Sequence, residues 1–279
     1  MTLIPAGKFV RGACNETGNV PCHPGDLAYD AQAAADESPV REIEMTPYYI
    51  DTYEVTVDQY RKCVAARACQ DSDYSTEFAN QACNMGNSYK GRYPMNCITY
   101  TGAKHFCEWA GKRLLTSAEW QKAARGGCEI GGDKTVCEAG LDDRIYPWGN
   151  ETPSCQYCVM DDNKYLTPGC GTDETFEVGS KPAGKSPYGL YDLAGNVGEW
   201  VADWYDARYY YPNYPVADYS PAQDPKGPQN ATTDFTIPGG GWRGDAFMVR
   251  LSARHHEEGD LTLKVAKIGF RCGKDYVEK

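Results

Sequence analysis

The residues best able to do chemistry are the cysteines, of which the 279-residue chain carries 13. That density has two physical readings: disulfides in an oxidising compartment, or metal and redox chemistry in a reducing one. Cys155-Gln156-Tyr157-Cys158 is a CxxC. As half of a zinc site it needs a second close pair, and only Cys170 and a carboxylate are at hand. As a redox motif it should open a helix in a βαβ setting, a pattern this region lacks. As a disulfide region, Cys155 or Cys158 pairs with Cys170, and the other is the thiol that an odd count leaves over. Cys14 and Cys22 flank a polar loop, as do Cys128 and Cys137, and both pairs read as local staples. Cys63, Cys69, Cys83 and Cys97 allow three pairings, of which Cys63–Cys97 with Cys69–Cys83 is preferred.

Histidine is scarce: His23, His105, His255 and His256. His255-His256-Glu257-Glu258 is the best candidate for metal or acid–base chemistry, but neighbours on a strand face opposite ways, so the two rings should not share an ion. There is no nucleophile elbow and no Ser-His-Asp order. Gly239-Gly240-Gly241 lacks a following helix and a P-loop lysine, so it reads as close backbone packing rather than a phosphate cradle. Trp204, Tyr205, Tyr209 to Tyr211, Tyr214 and Tyr219 cluster among Pro212, Pro215 and Pro221. Such a surface loop suits recognition as well as ordinary packing. Asn15, Asn150 and Asn230 open glycosylation sequons.

These groups need elements to position them. Val57, Tyr60 and Val64 share one face of a helix beginning at Thr56, after a strand-like Tyr48–Val55. Ala103, Phe106, Cys107 and Ala110 make a second apolar stripe, ended by Gly111-Lys112-Arg113. Thr116 with Glu119 is a capping box that starts a third helix through Trp120, Ala123 and Ala124. The remainder is short strands and turn-rich loops, as 29 Gly and 17 Pro demand. The class is therefore α+β with much irregular structure, in a single domain.

A net charge of −11 argues against a general nucleic-acid binder. No run approaches the ~18 apolar residues of a membrane span. The first residues do not read as a signal peptide, so either the chain is a mature or shortened one or the disulfide reading fails.

Six ordered blocks resemble one family. They are Met1–Gly12 (MTLIPAGKFVRG), Tyr49–Tyr60 (YIDTYEVTVDQY), Ala110–Gly127 (AGKRLLTSAEWQKAARGG), Tyr146–Asn150 (YPWGN), Tyr188–Trp204 (YGLYDLAGNVGEWVADW), and Gly239–Trp242 with Ile268–Arg271 (GGGW…IGFR). Together they resemble the formylglycine-generating enzymes, or sulfatase-modifying factors, over nearly the whole chain. The resemblance implies one domain, residues 1–279, with the formylglycine-generating variant of the C-type-lectin-like fold. Enzymes of this family oxidise a sulfatase cysteine with oxygen, using two cysteines about five residues apart after the GG-(S/G)-(W/Y) block. Paired thiolates suit Cu(I), a soft ion. Here that stretch, Arg243 to Arg250, holds no cysteine. Met248 is a soft donor, but a lone thioether more often packs than ligates, so copper is not expected.

The resemblance also implies a bridge from Cys107 to Cys272. A second family bridge would need cysteines near Ala124 and Leu251, where there are none. One family calcium site, built on an Asn near Cys158 and an Asp near Cys170, has lost both ligands, and a disulfide would replace it. The other carries over: Asp192 and Glu199 as side-chain ligands, Gly195 and Val197 as carbonyl ligands, a hard-oxygen set suited to Ca²⁺. Iron-binding sulfoxide-synthase relatives use an additional helical domain, and none fits here. The expectation is a secreted or periplasmic, monomeric, calcium-bound domain that binds a protein, peptide or glycan. Its expected face is Tyr205, Tyr209, Tyr210, Trp242, Arg243, Asp245, Phe247, Arg250, Arg254 and His255. A restricted version is a C-type-lectin-like display protein. The alternative is an oxidoreductase of different chemistry, such as a peptide or natural-product oxidase, with a deep pocket lined by Arg243, Asp245, Arg250 and His255. The family's own sulfatase oxidation is the third reading.

Overall fold

The computed structural model describes residues 1–279 except 19, 78–81, 131–136, 139–142, 208, 210–222, 229–233, 259–261 and 279. Tyr210, Tyr211, Tyr214, Tyr219 and the Asn230 sequon fall outside the described residues. Two reciprocal capping boxes set helix starts. Thr56 accepts from Gln59 N at 3.3 Å while Gln59 accepts from Thr56 N at 2.8 Å, and α1 (Val57–Ala65) follows. Thr116 and Glu119 do the same for α3 (Ser117–Arg125). Between them α2 (Tyr100–Trp109) is capped by Thr99, whose hydroxyl accepts from Gly102 N at 3.0 Å. It starts three residues before Ala103, the first residue of the apolar stripe that marked it.

The strands are short. β1 (Thr2–Ile4), β4 (Tyr48–Ile50), β11 (Cys272–Asp275) and β5 (Arg113–Leu114) form an antiparallel sheet in that spatial order. The last strand thus lies between β4 and β5, returning the C-terminal segment to the centre of the fold. β2 (Gly7–Arg11) pairs with β3 (Arg41–Met45), and β6 (Gly198–Glu199) runs parallel to β10 (Ile268–Gly269). β7 (Trp204–Tyr205), β8 (Asp234–Thr236) and β9 (His256–Glu258) make a three-stranded antiparallel sheet. The main core joins Tyr60, Phe106, Trp200, Phe235 and Phe270, with edge-on and stacked ring contacts. Trp200 satisfies its indole N–H on Ile98 O at 2.9 Å, as a buried indole must.

Six disulfides staple these elements among the described residues: Cys14–Cys22, Cys63–Cys69, Cys83–Cys97, Cys107–Cys272, Cys128–Cys137 and Cys155–Cys170. Cys158 is the free, buried thiol, and burial pushes its pKa far up. The preferred pairing of Cys63 with Cys97 and Cys69 with Cys83 is corrected. The chain folds back directly after α1: Arg67 takes a left-handed φ of 59°, and Ala68 N reaches Cys63 O at 3.1 Å. Cys69 is thereby delivered to Cys63. Asn96 meanwhile ties the other pair, accepting from Asn84 N at 2.8 Å and donating to Ala82 O at 3.0 Å. No helix among the described residues is long and apolar enough to cross a membrane.

Candidate functional site

The pleat of the β7–β8–β9 sheet decides which side chains meet. Trp204, Phe235 and Glu257 lie opposite one another, as do Tyr205, Asp234 and Glu258, with Thr236 opposite His256. Phe235 is buried on Trp204, ring to ring at 4.1 Å. Period-two alternation then places Tyr205, Asp234 and His256 on the other face. There His256 Nδ1 lies 2.7 Å from Asp234 Oδ2. The imidazole stacks on the Tyr205 ring at 4.0 Å, and the Arg254 guanidinium covers that ring at 4.9 Å. Tyr205 in turn donates its hydroxyl to Asp36 Oδ2 at 2.7 Å. Burial first, and Asp36 next, push that phenol well above its ordinary pKa.

His256 stands where two hollows meet. One, of about 460 Å³, has an apolar wall of Ile237, Val265, Ala266 and Ile268 and a polar rim of Arg243, His255, His256, Glu257 and Lys267. The other, of about 260 Å³, shares His255 and His256 and is completed by Asp36, Phe247 and Arg254. His255 places Nε2 3.1 Å from Met248 O, and burial lowers its pKa, so it is neutral at pH 7. Lys267 is paired with Glu257. Gly240, with φ of 75°, lets the glycine run lie under this rim: a Cβ there would stand 2.6 Å from Met248 O.

A larger groove, about 750 Å³, lies beside β5, lined by Arg113, Glu119, Trp204, Asp224 and Asp275. Its guanidinium is already engaged: Arg113 forks onto Glu119 at 2.6 and 2.7 Å and reaches Asp275 at 2.7 Å. The histidine cleft is smaller but brings together ionisable groups with open valences, which is what a binding site needs.

Several residues expected on the ligand face are supports instead. Trp242 is fully buried, donating Nε1 to Ala266 O at 3.1 Å, with Arg243 laid over its ring at 4.3 Å. Arg250 is also fully buried. It meets Asp30 at 2.8 Å and grips both oxygens of Glu37 at 2.6 and 2.9 Å, and Ser252 adds a hydroxyl to Glu37 at 2.6 Å. A guanidinium buried away from water needs such partners, and here they lock residues 30–37 onto the 243–252 segment. Tyr209 is buried with Phe9, Ile43 and Met45. Asp245 is exposed but caps its own turn, accepting from Phe247 N and Met248 N at 3.0 Å each. Arg243, Phe247, Arg254, His255 and Tyr205 remain at the cleft. The deep pocket lined by Arg243, Asp245, Arg250 and His255 together does not form, because Arg250 is in the core and Asp245 faces its own backbone.

Of the expected calcium ligands, Asp192 and Glu199 lie buried in one cluster of charge. Asp192 and Asn196 take left-handed φ of 57°, and Gly195 a φ of 74°. A Cβ on Gly195 would sit 2.3 Å from Val159 O, so the turn closes only on glycine. Asp192 Oδ2 accepts from Gly179 N at 2.6 Å. Glu199 receives Arg271 Nε on both oxygens at 2.9 Å and Trp120 Nε1 at 2.9 Å. Glu54, a residue the sequence did not single out, accepts from Asn196 Nδ2 at 2.6 Å and Val197 N at 3.1 Å. Among the described residues no trio of His, Cys, Asp or Glu is arranged around a metal position. The charge nevertheless fits a cation: Glu54, Asp192 and Glu199 are buried together against the single guanidinium of Arg271. Burial, with Asp192 and Glu199 as neighbours, pushes the Glu54 carboxyl well up, and burial takes Asp192 to about 6. A hard divalent ion held by Asp192, Glu199 and the carbonyls of Gly195 and Val197 would offset that uncompensated charge.

The sequence matches the family described as "Sulfatase-modifying factor enzyme 1-like domain" over residues 1–276. The chain belongs to the formylglycine-generating enzyme family. The formylglycine-generating enzyme of Thermomonospora curvata is 30% identical, over 99% of this chain and 93% of that protein. The serine/threonine-protein kinase pkn1 of Chlamydia pneumoniae is 28% identical over 99% of this chain, which spans 38% of that longer protein. Among solved structures, PvdO from Pseudomonas aeruginosa superposes with a TM-score of 0.71 at 22% identity, covering 98% of this chain and 93% of PvdO. The architecture is accordingly the α+β, formylglycine-generating variant of the C-type-lectin-like fold, the class expected from the sequence. In this family member the cleft's dyad partner Asp234 and its rim residue Lys267 carried no sequence signal. Asp234 reaches His256 only through strand register, and Lys267 is placed by the turn into β10.

Proposed function

We propose that this formylglycine-generating-enzyme-like domain is an extracytoplasmic ligand-binding module that does not carry out the family's copper chemistry. The carrying observation is the stretch Arg243 to Arg250, which has no cysteine where a thiolate pair would bind Cu(I). Beside it lies a cleft with an apolar wall and an exposed cationic and imidazole rim, the composition of a recognition site. A protein, peptide or glycan ligand fits this reading, with the domain acting as a monomer. Six disulfides support an oxidising compartment, secreted or periplasmic. One Ca²⁺ at Asp192, Gly195, Val197 and Glu199 completes the proposal as a structural ion.

Two measurements test it. A cysteine peptide of CxPxR type is incubated with the domain, oxygen and Cu(I). Recovery of the peptide unchanged is expected, and aldehyde formation overturns the reading in favour of the family oxidation. Calcium at about 100 times its Kd should add about 2.7 kcal/mol of stability. Chelation should remove it, while Asp192→Ala should abolish the response; a melting temperature indifferent to chelator removes calcium from the proposal.

A further inference from the structure

The histidine cleft can be read one step further, to the chemistry of what it binds, and this step rests on the cleft being the ligand site. Arg243 lies flat on Trp242, which fixes its plane while leaving its side chain 52% exposed at the rim. Its ion partner, Asp173, is 3.9 Å away and itself 58% exposed, a contact of little energetic weight. Lys267 is neutralised by Glu257, and His255 Nε2 is engaged by Met248 O at 3.1 Å. His256 is different. Asp234 holds its Nδ1 at 2.7 Å and Tyr205 backs its ring, which leaves Nε2 as the valence turned to the cleft. A carboxylate on one ring nitrogen fixes the orientation of the ring and so the direction of the other nitrogen. The groups left open in the cleft are therefore a guanidinium and a protonatable imidazole, set beside Ile237, Val265, Ala266 and Ile268.

We propose that the cleft receives the carboxylate of an apolar or aromatic acid, with Arg243 and the His256 imidazolium as its charged partners and the apolar wall as the seat of its hydrophobic body. Guanidinium and imidazolium both donate charge-assisted hydrogen bonds to a carboxylate, about twice as strong as neutral ones. Such a carboxylate occurs in free arylalkanoic acids and at the C-terminus of a peptide ending in an apolar residue. The other ionisable groups facing the His256 ring are Asp234 on β8, Tyr205 on β7, Arg254, His255 and Glu257 on its own segment, Asp36 beneath Tyr205, and Lys267 and Arg243 across the cleft.

The experiment uses the full chain, ¹⁵N-labelled on histidine, titrated with four probes: phenylacetate, phenylacetamide, N-acetyl-Leu-Phe and its C-terminal amide. Each acid should bind about tenfold or more tighter than its amide, a difference of about 1.4 kcal/mol. Saturation with the acid should shift the His256 ring ¹⁵N resonances. Arg243→Gln and His256→Gln should each remove the preference for acid, and Arg243→Gln, whose side chain is 52% exposed, should do so with little change in melting temperature. Asp234→Asn, which loosens the hold on the His256 ring, should cut the preference for acid over amide while amide binding stays as it was, an effect that loss of packing alone does not produce. Phenylacetate against N-acetyl-Leu-Phe tells whether free acid or peptide terminus is favoured. Acids and amides bound alike, with the His256 ring shifted by both, overturn the carboxylate inference and leave the cleft as the ligand site. Binding of neither acid nor amide overturns the inference and counts against the cleft itself.

Discussion

Removing the Cys107–Cys272 bridge should cost this protein far more than removing Cys63–Cys69, and the structure allows the difference to be worked out. The first closes 165 residues of chain and the second 6. In the chain-entropy treatment a crosslink reduces the entropy of the unfolded state by 2.1 + 1.5R ln n cal/mol/K. At 25 °C that gives about 5 kcal/mol for the long loop and about 2 kcal/mol for the short one. Cys128–Cys137 and Cys155–Cys170 lie within the long loop and shorten it, but the logarithm makes that correction only about 0.1–0.2 kcal/mol. The four sulfurs share one core cluster: Cys63, Cys107 and Cys272 are fully buried and Cys69 is 4% exposed. Cavity losses from Cys→Ala are therefore comparable, and the difference of about 3 kcal/mol reports loop length. The assay is urea unfolding of C107A/C272A and C63A/C69A against the parent, with the remaining bridges verified by mass. Equal losses, or a larger loss from the short bridge, would refute the reasoning, because the bridges would then act through native contacts rather than through the unfolded chain.

Asp203 is buried, and burial pushes its carboxyl up from the ordinary aspartate range to about 7. The folded chain thus holds its proton more tightly than the unfolded chain, so its contribution is full below about pH 4 and is lost as pH rises to about 7. Asp203→Asn keeps the acceptor that Ser117 N needs at 2.7 Å; its denaturation midpoint should lack that decline, worth about 4 kcal/mol over the window. Arg250→Ala leaves Glu37 and Asp30 buried without their cation, and should cost about 3–5 kcal/mol in urea unfolding. Cys158 should resist iodoacetamide in the native protein and take up a single alkyl group only after unfolding, read by intact mass, since burial disfavours its thiolate.

The helices were legible because their signals are local. Thr116 with Glu119 fixes a start within four residues of chain, and the structure uses that box; at Thr56 the apolar face alone marked the helix, and the structure adds a Thr56–Gln59 box that was not singled out. The family blocks carried the fold, since a chain this rich in loops has little periodicity to read. Where the sequence failed, the deciding term was non-local or lay in a single backbone angle. Cys63 found Cys69 through one left-handed residue, Arg67. Arg250 looked like a surface cation beside a glycine run; only the docking of Asp30 and Glu37, more than two hundred residues earlier, takes it into the core. Asp234 joined His256 by strand register, which no short motif records.

Those misplacements share a physical cause that bears on function. The segment after Gly241 holds its course through side chains pointing inward: Trp242 onto Ala266 O, Val249 into the core, and Arg250 into Asp30 and Glu37. None of these contacts requires a particular residue at positions 243, 247 or 248, whose side chains are exposed. The backbone course of this segment can thus be kept while its outward chemistry changes. Cysteines are absent from the segment, and its inward anchors hold without them. Rigid support of this kind is what lets a site change its ligand without loss of fold; under the carboxylate proposal, specificity would lie with Arg243 and the His256–Asp234 pair rather than with the buried aromatic and cation beneath them.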